Sequence, residues 1–336
     1  METIKNLPIS KYISFYSNVY RDIPEYKYTD IPILKMLNNK KGPFSDHAEV
    51  LLIAVSSTDG IAAAATLITT QRYPETLQVA FFEALPHKFE EVEYMFDYIK
   101  SYALSMGKQK IIIGLNGHVN YGMGILCNRF DSHISFGTKF NPHYYEDYFT
   151  KLKCKEYLML SFLMDMNKYN LDKEKKLLER VGRNFTIREA DFSNFQREVE
   201  IYTYLNNLCF KKHMFYYERC VDEDYELLEE LKGHISGKSL LIAEKDNEPI
   251  GYMLWYPDFN QREINRFIIS ELGVVPEYQG SGAVLGLFLR CFELVRGKYD
   301  FCETSWILHE NLRSKGFGYR WGAEEYKRYK VFEVSL

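Results

Sequence analysis

The stretch Ile268–Val295, IISELGVVPEYQGSGAVLGLFLRCFELV, admits few backbone paths. A strand ends at Pro276, whose missing amide and fixed φ stop ladder pairing, and a turn with two glycines leads directly into an apolar-periodic helix. Such a turn points the unpaired N–H groups of the first helical turn outward. With Gly280 and Gly282 keeping side chains out of the approach, the loop suits a phosphate or pyrophosphate. The same pair is also compatible with a tight strand-to-helix turn and nothing more. Val284, Leu287, Phe288, Cys291, Leu294 and Val295 share one helical face, which would seat the turn on a sheet. Spacing excludes two nucleotide motifs. A Rossmann fingerprint needs a small residue at Leu285, whereas the glycine is Gly286. A P-loop ends in G-K-[ST], and none is present.

Around this segment the pattern of elements runs twice. In the first half, Ala48–Ser57 and Ile61–Thr70 read as a hairpin across Asp59-Gly60, followed by a strand at Thr76–Leu85, a helix at about His87–Met106 and a strand at Lys110–Leu115. A loop rich in Gly and Asn follows, then a helix around Tyr144–Leu152 and a strand at Tyr157–Asp165. The charged run Leu171–Asn184, a short stretch of good helix formers, interrupts the pattern and marks the boundary. In the second half, a strand at Phe185–Ala190 precedes helices capped from Asp191 or Ser193 to Leu208 and at Asp222–Lys232. Ser239–Glu244 and Pro249–Tyr256 form a hairpin across Asp246-Asn247, and Glu263–Val275 is a long third strand. A helix at Gly282–Arg296, a strand at Phe301–Leu308, a helix at Asn311–Trp321 and a strand at Tyr326–Val334 complete it. The reading is an α/β chain of two domains, residues 1–170 and 185–336, joined by a linker at 171–184.

Composition narrows the function. At 336 residues with 46% hydrophobic and 26% charged side chains, the chain can build two cores. A net charge of −4 without large blocks of one sign argues against nucleic-acid and anionic-membrane partners. No apolar stretch reaches the length of a membrane span. The N-terminus lacks the apolar core of a signal peptide. The cysteines Cys127, Cys154, Cys209, Cys220, Cys291 and Cys302 show no zinc spacing, so a cytoplasmic protein with reduced thiols and no metal is expected. The 27 Tyr and 23 Phe are spread along the chain, as core and pocket lining would be.

The segment VVPEYQGSGAVLGLFL resembles the acyl-CoA-binding signature [Q/R]-x-x-G-x-[G/A] of the GNAT superfamily of N-acyltransferases. Gln279 and Gly282 match, and Val284 replaces the final small residue. SWILHENLRSKGFGYRWGAEEYKRYKVFEV is similar to the strand, helix and strand that close a GNAT domain, with Asn311 and Gly322 at the matching asparagine and glycine. Over its full length the chain resembles bacterial proteins built of two tandem GNAT-like domains. Each would be a mixed, mostly antiparallel sheet flanked by helices. Where the phosphate loop should lie in the first half, FFEALPHKFEEVEYMF has no glycine and carries Glu90 and Glu91 at the helix start, where they would repel a pyrophosphate. The resemblance therefore implies one acyl-CoA site, held by Leu272, Val274, Val275, Gln279, Gly280, Ser281, Gly282, Ala283, Val284 and Asn311.

By that resemblance, acetyl-CoA or another acyl-CoA is the co-substrate. The strand backbone from Leu272 to Val275 would pair with the pantetheine arm, and Val274 N–H would serve the tetrahedral oxyanion. Glu271 is the nearest candidate base, against the plain reading of an exposed strand glutamate. Many relatives place a tyrosine at the position of Gly318 to protonate the thiolate. The neighbouring Tyr319 lies about 100° around an ideal helix, and could serve only from a distorted turn. The polar loop at Asn116, His118 and Asn120 is a candidate for acceptor recognition, or a glycine-rich connection held by its Asn side chains. His47 reads as a capping or loop residue, and Trp255, Tyr256 and Phe259 as core. The expected activity is transfer of an acyl group, most simply acetyl, to a primary amine of a small molecule or peptide. An acyl-CoA-binding protein without turnover is the first alternative, and a transferase using charged tRNA the second.

Overall fold

A computed structural model describes residues 1–23, 26, 30–168, 171–181, 185–260 and 264–336. Glu263 of the expected third strand and residues 182–184 of the expected linker lie outside them. The chain is mixed α/β, its sheet mostly antiparallel and flanked by helices, and it divides into two compact units. One comprises Met1–Leu160 with Lys327–Leu336, the other Ser161–Tyr326.

The first unit contains β1 (Glu2–Lys5), α1 (Ile9–Val19), α2 (Asp30–Asn38), β2 (Ala48–Ser57), β3 (Gly60–Thr70), β4 (Thr76–Ala84), α3 (Phe89–Ser105), β5 (Lys110–Ile113), β6 (Ile125–Leu126), α4 (Tyr145–Thr150) and the start of β7 (Lys155–Asp165). Strands β1 to β4 form an antiparallel meander, and β5 joins β4 in parallel after the α3 crossover. Valine, isoleucine and alanine dominate these strands, and β4 is buried along its whole length. The helices α1 and α2 precede Ala48, where the sequence reading assigned no element.

The second unit contains α5 (Leu171–Val181), β8 (Thr186–Glu189), α6 (Phe195–Phe210), α7 (Val221–Lys232), β9 (Leu240–Lys245), β10 (Glu248–Pro257), β11 (Arg266–Val274), α8 (Ala283–Val295), β12 (Phe301–Thr304), β13 (Ile307–Leu308), α9 (Leu312–Arg320) and the start of β14 (Glu324–Ser335). Strands β8 to β11 are antiparallel, β12 pairs β11 in parallel, and the end of β7 closes on β12. The β9–β10 turn has positive φ at both Asp246 and Asn247, the geometry that matches strand twist in a two-residue hairpin.

Three boundaries differ from the sequence reading. Residues 161–165 of β7, expected in the first domain, belong to the second unit because Leu163, Met164 and Asp165 pair with β12. Residues 171–181, expected in a linker, form a helix packed on α8, with Lys175 3.3 Å from Glu293 and Arg320 2.9 Å from the buried Glu174. α8 also buries Leu285, Leu289 and Phe292 beyond the expected face, Phe292 lying edge-on to Phe267 of β11. The last strand from Lys327 onward belongs to the first unit, because it hydrogen-bonds β5 at Phe332↔Ile113 and β6 at Tyr329↔Leu126.

Candidate functional site

Strand β11 has two unequal neighbours. Its pairing with β10 continues to Val274, but β12 follows it only from Arg266 to Ile269, where Ser305 N–H closes on Ile269 O at 2.9 Å. Between Ile269 and Glu271 the register with β10 slips by one residue, a bulge that bends the strand where β12 departs. Val275 N–H bonds Ile250 O, so the alternation of an antiparallel ladder turns the N–H and C=O groups of Leu272 and Val274 away from β10, toward the open side. Gln279 Nε2 donates to Val274 O at 3.3 Å from that side. An extended polar chain can therefore add to this edge as a strand would.

The loop after β11 has the expected conformation. Gly280 and Gly282 hold φ of 90° and 93°, values that other residues rarely adopt, and Gly282 is the N-cap of α8. Gly286 N–H finds Gly282 O, and Ala283 N–H turns to Ser281 Oγ. The N–H groups of Val284 and Leu285 precede any intrahelical acceptor. Gln279 and Gly280 are exposed, Ser281, Gly282 and Val284 half-buried, and Ala283 buried. Arg313 Nη1 donates to Gln279 Oε1, and Lys245 lies over the Tyr278 ring, so two cations flank the loop. Gly286 serves packing, since a Cβ there would meet Phe185 at 2.7 Å.

Glu271 is not an exposed strand glutamate. Its carboxylate is partly buried and accepts from Tyr202 at 2.8 Å, Tyr252 at 2.8 Å and Asn206 Nδ2 at 3.0 Å. Tyr202 and Asn206 are one turn apart on α6. That helix comes close because Gly273 has no side chain; a Cβ there would lie 2.8 Å from Cys209 Cβ. Burial pushes the Glu271 pKa up to about 7, against the lowering effect of the tyrosine hydroxyls, and Asp224 adds to the rise. Asp224 is itself held by Arg219 at 2.6 Å and Thr203 at 2.8 Å.

The remaining predicted residues have the following surroundings. Asn311 caps α9, its Oδ1 accepting from Ser314 N–H at 3.1 Å. Tyr319 is 51% exposed, stacks edge-on against Phe162 and gives its hydroxyl to Glu325. A Cβ on Gly318 would lie 3.0 Å from the Phe162 ring, a tight contact that the ring would have to relieve by a few tenths of an ångström. Asn116 and His118 are buried in the first unit: Asn116 Oδ1 accepts from Phe81 N–H and His118 Nδ1 from Asn120 N–H. His47 Nδ1 is 2.8 Å from Thr70 Oγ1, and Trp255 and Tyr256 are core, while Phe259 is 37% exposed. Tyr202, Asn206, Tyr252 and Arg313 were not singled out from sequence; the i, i+4 pair on α6 was the available signal.

The first unit repeats the splay with different consequences. β5 follows β4 from Thr76 to Val79, then β4 bulges at Phe81, whose φ is 45°. Side chains saturate the edge beyond. Tyr145 accepts from Ala84 N–H, Tyr144 donates to Ala84 O, and Tyr148 donates to Leu85 O and accepts from Lys88 N–H. The helix that follows opens with Glu90 and Glu91 in place of a glycine loop. A tyrosine-rich helix thus fills the edge that stays open in the second unit.

Residues 202–322 match the model of the acetyltransferase (GNAT) family. The chain is 24% identical to Protein YghO of Escherichia coli, over 98% of this chain and 93% of that protein. Among solved structures, a tandem GNAT protein from the clavulanic acid biosynthesis pathway superimposes with a TM-score of 0.62 at 11% identity, over 99% of this chain and 98% of the other. A protein of Enterococcus faecalis described as a probable N-acyltransferase gives 0.58 at 10% identity, over 100% and 73%.

Proposed function

We propose that this chain, a tandem GNAT fold in which residues 202–322 form a domain of the acetyltransferase (GNAT) family, moves an acyl group from acyl-CoA to a primary amine. The observation that carries the reading is the open edge of β11 running into the glycine loop, with a partly buried carboxylate, Glu271, at its other end. Acetyl-CoA is the simplest donor, and a small molecule or peptide the acceptor; the net charge of −4 disfavours nucleic acid. Val284 and Leu285 N–H, with Arg313 and Lys245 nearby, would face the pyrophosphate. Leu272 and Val274 would pair with the amide-bearing arm of the donor.

The amine nitrogen attacks the thioester carbonyl carbon, the C–N bond forms, and the C–S bond breaks. Val274 N–H faces the oxygen that gains charge. Glu271 takes the proton the nitrogen gives up, directly or through water. The thiolate leaves with a proton from solvent, since Gly318 offers none. Release of free thiol with an amine panel, together with mass detection of an acylated amine, tests the reading. Gly282→Asp, which sets a carboxylate where the pyrophosphate would lie, should abolish CoA binding; retained binding overturns the site.

One observation favours a second reading, an acyl-CoA-binding protein without turnover: Gly318 stands at the position from which many relatives protonate the thiolate. Saturable CoA binding without thiol release across the panel would select it.

A further inference from the structure

The first unit holds a small cavity of mixed polar and apolar lining that the proposed reaction does not use. It lies where β4 parts from β5, and its walls include Tyr20, Asp30, Phe81, Glu83, Asn116 and Lys139. Asn116 is 2% exposed, and its Oδ1 is committed to Phe81 N–H at 3.1 Å. That bond settles which end of the amide is which, and leaves Nδ2 as a buried donor with no acceptor. Phe81 itself sits in the left-handed region at φ 45°, held at both ends by Asn116 on its N–H and Tyr12 on its carbonyl. Strain of this kind persists where surrounding bonds over-determine it, and it gathers at ligand sites.

Two of the wall charges, Asp30 and Lys139, are paired with each other. Lys139 Nζ bonds Asp30 Oδ2 at 2.6 Å and lies 5.1 Å from the Phe81 ring centre. Glu83 accepts from Tyr20 at 3.2 Å and Tyr145 at 2.6 Å, and burial raises its pKa well above the ordinary carboxylate value. A carboxylate ligand would meet Asp30, and an ammonium would meet Lys139 and the Asn116 NH2. A neutral molecule with both an acceptor oxygen and an N–H meets neither conflict.

We propose that this cavity binds a small uncharged amide, whose carbonyl oxygen accepts from Asn116 Nδ2 and whose N–H donates to the Asp30 carboxylate. The site belongs to the first unit alone and does not depend on acyl transfer. Titration of the full-length chain with acetamide, followed on side-chain amide NMR resonances, should shift the Asn116 NH2 signal saturably; acetate and methylammonium, its charged counterparts, should not. Asn116→Asp keeps the acceptor for Phe81 N–H, removes the donor and should abolish binding. Asp30→Asn, at the half-buried rim, should weaken it several-fold and serves if Asn116→Asp does not fold. No saturable shift with acetamide, equal binding of acetate, or unchanged affinity in the folded variants would overturn the proposal.

Discussion

At the scale of single residues, Glu271 shows how one side chain can be set near neutrality by opposing effects. Hydrogen bonds from Tyr202, Tyr252 and Asn206 favour the carboxylate, while burial and Asp224 favour the acid, and burial wins to give a pKa of about 7. A base must be ionised to act, so the rate of acyl transfer should rise as pH climbs through about 7. Glu271→Gln should lower kcat by about 10²–10⁴-fold and flatten that limb, with acyl-CoA binding kept. Removing a donor with Tyr252→Phe destabilises the carboxylate further and should move the limb to higher pH; a limb at unchanged pH would mean that Glu271 is not the titrating group. Linkage adds a second reading of the same group. Between its ordinary 4.5 and about 7 the folded chain holds a proton that the unfolded chain has lost, so stability should fall as pH rises through that window. Denaturant titrations of the wild type and Glu271→Gln should differ in this slope.

At the scale of elements, glycines decide how closely strands and helices approach. Gly251 on β10 pairs with Val274, and a Cβ there would lie 2.8 Å from Gly273 O and 3.3 Å from Val274 Cα. Backbone cannot yield as a flexible side chain can. Gly251→Ala should therefore cost about 1–3 kcal/mol in urea denaturation and raise KM for acyl-CoA, because it displaces the edge proposed to pair with the donor. The same logic explains the contrast between β4 and β11. Both strands part from a parallel neighbour after four paired residues and bulge there. One edge is then covered by Tyr144, Tyr145 and Tyr148 and the other is left open.

At the scale of the whole molecule, the chain's last strand is spent on its first unit. Phe332 and Val334 pair with Ile113 and Ile111 of β5, and Tyr329 with Leu126 of β6. Deleting residues 327–336 should strip hydrogen-exchange protection from the Ile111–Ile113 amides and lower the stability of the first unit. Unchanged protection would show that the unit closes without that strand. Among the described residues no helix is long and apolar enough to cross a membrane.

What the sequence determined by itself was local. Pro276 and the Gly280–Gly282 turn, the Asp246-Asn247 hairpin and the periodic face of α8 are dictated by φ restrictions and by spacing, so they were readable within a dozen residues. Glu271 was nameable as a candidate because it lies on the strand before the loop. Its partners were not, since Tyr202, Tyr252 and Asp224 meet it only when α6 and its neighbours pack onto β10 and β11. The return of β14 to β5 and the tyrosines on the β4 edge likewise depend on pairings between residues far apart in the chain, whereas the helix at 171–181 was foreshadowed by its run of good helix formers. Hydrogen bonds and burial choose among such pairings by tertiary fit, and no short-range pattern records the choice.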